Sequence, residues 1–140
     1  MKKIIALWGS ADSGKSSSLK IVHKALSKLS GRTIEAFSVS GVDVRDIFII
    51  NGVKVGIETQ GDPGSRLEES LDIFKNEGCK LIICATRTKG QTTELVNNLK
   101  PLYYISWRGQ SSVSEDTLRD ESNNAIASLI LKEAKAVIYA

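Results

Sequence analysis

The chain has 140 residues, 25% of them charged and 41% hydrophobic, with a formal net charge of +3. That length supports one domain with a core that needs no disulfide staples. The mild charge, with no long run of one sign, gives no ground for expecting a nucleic-acid partner.

Residues 2–8 hold the apolar run Ile4-Ile5-Ala6-Leu7-Trp8 and predict a first strand. The octapeptide Gly9-Ser10-Ala11-Asp12-Ser13-Gly14-Lys15-Ser16 follows and matches G-x-x-x-x-G-K-[ST] in full. Residues 14–30 predict a helix, with Leu19, Val22, Leu26 and Leu29 on one face and Gly31 as its stop. Residues 33–39 alternate imperfectly and predict a second strand, before a polar loop over residues 40–45. Ile47-Phe48-Ile49-Ile50, Asn51-Gly52 and Val53-Lys54-Val55-Gly56-Ile57 predict a β-hairpin with a type I′ turn, ending at Glu58. Residues 65–77 predict a helix whose apolar face carries Leu67, Leu71 and Phe74. Leu81-Ile82-Ile83-Cys84 is a continuous apolar run, as in a parallel strand buried on both faces. Residues 91–99 predict a short helix stopped by Pro101, and residues 102–107 a last strand on which Tyr103 or Tyr104 faces the core. Residues 114–138 predict a long helix with Leu118, Ala125, Ile126, Leu129, Ile130 and Val137 as its apolar residues.

Alternating strands and helices predict an α/β fold, a three-layer α/β/α sandwich with a mainly parallel sheet and one antiparallel hairpin strand. The segments after the parallel strands then meet at one sheet edge, where open α/β sheets bind ligands. Cys79 and Cys84 lack His or Cys neighbours at ligand spacing, so no zinc site is expected, and Cys84 reads as a buried thiol in a reducing cytosol. No apolar stretch reaches the length of a membrane span and the first residues form a strand pattern, so a cytoplasmic protein without a membrane partner is expected.

Through its octapeptide the chain resembles the P-loop NTPase superfamily, whose Walker A motif has this form and this strand–loop–helix setting. Gly9 and Gly14 let successive backbone N–H groups converge on an anion at a helix N-terminus. The resemblance assigns nucleotide binding to Gly9, Asp12, Ser13, Gly14, Lys15, Ser16 and Ser17. Lys15, expected exposed in the empty loop, would reach the β- and γ-phosphates, and Ser16 would offer its hydroxyl to Mg²⁺. Asp12 would repel a phosphate, so it is expected to point outward or toward a substrate.

The order phosphate loop, helix, hairpin, acidic residue and x-x-Gly resembles the small GTPase-like branch, with Glu58 in place of the Asp of D-x-x-G. Glu58 is thereby a candidate metal ligand or water-activating base, with Asp62 the alternative. The N-K-x-D guanine-reading motif is missing, which favours ATP over GTP or weak base selectivity; Trp107 and Arg108 could stack on a base. Arg87, in the loop Arg87-Thr88-Lys89-Gly90, is a candidate for charge stabilisation in phosphoryl transfer. His23 reads as a helix-flank residue.

The expected function is Mg²⁺-dependent binding of a nucleoside triphosphate with slow hydrolysis. A kinase is the alternative, its small-molecule or nucleotide acceptor held by Asp43, Arg45, Arg66 and Arg87. A third reading is a regulatory module that signals nucleotide state to a protein partner.

Overall fold

The computed structural model describes residues 2–10, 13–30, 32–38, 43–111, 113 and 115–140. Asp12, the expected helix stop Gly31, the last residue of the expected second strand, Val39, and residues 40–42 of the expected polar loop lie outside the described residues. Among the described residues the chain is α/β, with six strands in one mixed sheet and four helices. In chain order these are β1 (Lys3–Trp8), α1 (Lys15–Leu29), β2 (Arg32–Ser38), β3 (Val44–Ile50), β4 (Val53–Glu58), α2 (Leu67–Asn76), β5 (Leu81–Thr86), α3 (Gln91–Asn97), β6 (Tyr104–Gly109) and α4 (Asp116–Ile138).

The sheet order is β2-β3-β4-β5-β1-β6. β4, β5, β1 and β6 run parallel, whereas β3 is antiparallel to both its neighbours. Trp8, Glu58, Thr86 and Gly109 therefore end their strands at one edge of the sheet. The hairpin turn is as expected: Asn51 and Gly52 both have positive φ, 52° and 75°, as a type I′ turn requires. β3 begins at Val44, so two residues of the expected polar loop belong to a strand.

Two-residue alternation sorts the side chains onto two cores. Ile5, Leu7, Phe48, Ile50, Val55 and Ile57 pack with α1 and α4 on one face. Ile4, Ala6, Ile47, Ile82 and Cys84 pack with α2 and α3 on the other. Gly56 serves the second face by its lack of a side chain, since a Cβ there would lie 2.6 Å from the Phe74 ring. Tyr103 is the buried member of the tyrosine pair, donating its hydroxyl to Cys79 O at 2.6 Å, while Tyr104 is 60% exposed.

Two apolar stripes differ from expectation. Leu29 is exposed at the end of α1. α4 buries Ala127, Ile130, Ala134 and Ile138, leaving Leu118 and Leu129 exposed. The alanines suit the close approach of α4 to α1, which bulkier leucines would hold apart.

Glu133 ties α4 to the sheet, with Lys3 Nζ at 2.7 Å from Oε2 and Arg108 Nε at 3.0 Å from Oε1. Burial alone would raise its pKa, but hydrogen bonds from Lys3, Ser106 and Arg108 outweigh it and hold the carboxyl below its ordinary 4.5. A depressed folded-state pKa stabilises the fold above the ordinary value, and that stabilisation is lost as pH falls through the folded pKa. Urea unfolding should therefore find Glu133→Gln less stable than the parent at neutral pH. The gap should close below the ordinary carboxyl value of 4.5.

Candidate functional site

The site forms where β1 turns into α1. Gly9 passes under the β6–α4 connection so closely that a Cβ would lie 2.4 Å from Gln110 O. Gly14 has a left-handed φ of 92°, and a Cβ there would lie 2.7 Å from Gln110 Nε2 and 2.8 Å from Asn123 Oδ1. Behind the loop Ser18 Oγ contacts Gln110 Oε1 at 2.9 Å, and Gln110 Nε2 contacts Asn123 Oδ1 at 2.7 Å. These polar groups press the loop from below and satisfy one another.

Lys15 departs from the expected exposed side chain. It is 8% exposed, and its Nζ donates to Gly9 O at 2.7 Å and to Ser10 O at 2.8 Å. The ammonium thus neutralises the loop's own carbonyls. α1 itself supplies no acidic residue in its first turn and no side-chain cap, so negative charge at its positive end comes from outside the helix. Ser13 is 5% exposed, and its Oγ has no hydrogen-bond partner. A buried hydroxyl without a partner is costly.

Above the loop, Asp43 is the carboxylate that the fold brings to Ser16. Ser16 Oγ donates to Asp43 Oδ1 at 3.0 Å, and Thr59 Oγ1 donates to the same oxygen at 2.8 Å. The Val44 N–H donates to Thr59 Oγ1 at 2.9 Å, fixing that hydroxyl. Ser13, Ser16, Asp43, Thr59, Gln60 and Asp62 face a cleft of about 460 Å³, with Arg119 and Asn123 of α4 on its far wall. That volume is in the range of small-molecule sites. Gly61 reaches the cleft by lying against β5, where a Cβ would meet Ala85 O at 2.3 Å.

Glu58, expected at the metal or the attacking water, is turned to the opposite face of the sheet. It is fully buried, and Arg66 grips it with Nε at 2.7 Å and Nη2 at 3.0 Å. Ser70 Oγ donates to it at 2.6 Å and the Gln60 N–H at 3.0 Å. The hydrogen bond to Glu58 raises the Arg66 pKa further. Alternation along β4 is the cause: Val55 and Ile57 face α1, so Gly56 and Glu58 face α2 and Thr59 returns to the α1 side.

The other expected residues are dispersed. Asp62 lines the cleft and pairs with Arg87, whose Nε and Nη2 each lie 3.1 Å from its Oδ1. Arg45 lies on the α2 face, donating to Glu69 at 3.1 Å and Ser70 at 3.2 Å. His23 pairs through Nε2 with Asp46, away from the loop. Trp107 packs against the core on the α2 and α3 side, and Arg108 is engaged with Glu133. Burial raises the thiol pKa of Cys79 and of Cys84 to about 12. Among the described residues no group of three His, Cys, Asp or Glu is placed to hold a metal ion.

Asp43, expected only as an acceptor contact, and Thr59, Gln110 and Asn123 are the site residues that spacing alone does not assign. Thr59 was within reach of the strand alternation; Gln110 and Asn123 come from the far end of the chain and carry no local signal. Comparison with protein-family models, with curated proteins and with solved structures returns no match.

Breaking a buried ion pair leaves a charge unpaired and costs about 3–5 kcal/mol. Glu58→Ala should lower unfolding stability by that order in urea titration. Its folded fraction should retain the parent's secondary structure, read from an unchanged far-ultraviolet circular dichroism spectrum.

Proposed function

We propose that the cleft binds a nucleoside triphosphate with Mg²⁺, favouring ATP over GTP, and hydrolyses it slowly. In this reading the sheet and its helices are the three-layer sandwich of the P-loop NTPase superfamily. The observation that carries the proposal is the contact of Ser16 Oγ with Asp43 Oδ1 beside a loop whose Ser13 Oγ lacks a partner. The donor set, two hydroxyls and a carboxylate from Ser16, Thr59 and Asp43, is all hard oxygen and suits Mg²⁺ with several waters retained. Bound there, Mg²⁺ would neutralise charge on the β- and γ-phosphate oxygens.

The chain's own residues do the rest. Lys15 exchanges the carbonyls of Gly9 and Ser10 for phosphate oxygens, a stronger, charge-assisted partnership. Ser13 Oγ and the N–H groups of the first turn of α1 receive the remaining anionic charge. Asp62 or the Gln60 amide, both on the cleft, holds the attacking water in place of Glu58. No guanine-reading carboxylate stands at the expected spacing, which supports adenine or weak base selection. The two buried free thiols accord with a cytoplasmic setting.

The kinase alternative has less support, because Arg45 and Arg66 are engaged on the α2 face and Arg87 by Asp62. The regulatory reading gains from the same fact about Glu58: with that carboxylate locked away, turnover rests on weaker groups.

Calorimetric titration of ATP with and without Mg²⁺ tests the proposal. Lys15→Ala should weaken binding on the order of tenfold to a hundredfold, the loss of a charge-assisted contact. Asp43→Asn should weaken binding only when Mg²⁺ is present, by about tenfold. Equal affinities for parent and both variants would remove the reading.

A further inference from the structure

Two grooves of opposite charge lie on opposite faces of the sheet. The first, about 390 Å³, runs between α1 and α4, with Ile21, Ala25 and Leu29 as its floor and Lys24, Lys28 and Lys135 as its rim. α1 carries no acidic residue anywhere along Lys15–Leu29. The second, about 450 Å³, runs along α2 and is lined by Glu68, Asp72 and Ile73 with Arg66 and Glu69, the last two already paired with Glu58 and Arg45. Among the described residues no ion pair engages Lys24, Lys28, Lys135, Glu68 or Asp72.

The spacings match. Lys24 and Lys28 are four residues apart on one helix, and Glu68 and Asp72 are four apart on another. Each pair stands about 6 Å apart on its helix surface, so one pair can face the other in a single register. Ile73 beside the acidic pair would meet the apolar floor between the lysines. We propose that the α2 face of one copy of this chain docks into the α1–α4 groove of a second copy.

The two patches are different and lie on opposite faces, so the contact is heterologous and leaves a free patch on each end. Such contacts build open chains or rings rather than a closed two-fold dimer. Steering by four or five charges makes the association salt-dependent, since exposed charges are screened beyond about 8 Å at physiological ionic strength. A duplex nucleic acid would use the lysines but not the apolar floor, nor would it explain the acidic groove.

The test uses the full chain without nucleotide, so that it stands apart from the proposed activity. Sedimentation velocity at low ionic strength should show the parent growing beyond the monomer with concentration and dispersing as salt is added. The double variant Lys24→Glu/Lys28→Glu should stay monomeric, as should Glu68→Lys/Asp72→Lys, each weakening association at least about tenfold. Circular dichroism of both should match the parent, because all four residues are exposed. An equimolar mixture of the two variants should associate again, since every contact between them pairs opposite charges. A parent that remains monomeric at low salt overturns the proposal, and so does a mixture that remains monomeric. Loss of duplex DNA binding in the lysine variant of a monomeric parent would reassign the groove and overturn it as well.

Discussion

Two-residue alternation along β4 is the constraint from which the arrangement of the sheet edge follows. Once Val55 and Ile57 are committed to the core beneath α1, Glu58 must face α2 and Thr59 must face the α1 side, toward Asp43. A buried carboxylate needs a cation and hydrogen bonds, and Arg66, Ser70 and the Gln60 N–H supply them. The same alternation fixes Thr59 so that it orients Asp43, and Asp43 in turn meets Ser16. Exchanging the two faces would part the acid from Arg66 and Ser70 and the hydroxyl from Asp43, with the loss of both networks.

The loop itself is shaped by crowding from below. Gly9 and Gly14 occupy positions where Gln110 and Asn123 leave no room for a side chain, so the loop is pressed against the start of α4. β5 lies between β1 and β4, so the loop and Thr59 approach each other across the end of a strand that ends in Thr86. Gly61 fits over that end where any larger residue would strike Ala85 O. Glycine is required at Gly9 and Gly61 for close approach to backbone atoms, and at Gly14 for its left-handed backbone conformation.

Much of the fold was legible in the chain. The hairpin could be read from Asn51-Gly52 between apolar runs, and the buried β5 from unbroken hydrophobicity over residues 81–84. These signals are local: turn chemistry and burial of both faces leave a mark on adjacent residues. α4 was legible in extent but not in orientation, because it packs through Ala127 and Ala134, and alanine does not distinguish a buried face from an exposed one. In the candidate site the strand–loop–helix setting of residues 9–16 was legible, because an apolar run before the loop and helical spacing after it are local signals. The partner of Ser16 was not, since Asp43 and Ser16 are 27 positions apart and meet only through the sheet. Lys15 was misjudged as exposed because its folded partners are backbone carbonyls, to which no side-chain pattern points.

The central claim is that the β1–α1 loop is a triphosphate site held in reserve by Lys15. A crystal structure with a non-hydrolysable ATP analogue and Mg²⁺ tests it most directly. The account predicts that Lys15 Nζ leaves Gly9 O and Ser10 O for the β- and γ-phosphates, that Ser13 Oγ gains an anionic partner, and that metal density appears between Ser16 and Asp43. Phosphate density elsewhere, with Lys15 still on the two carbonyls, would contradict it.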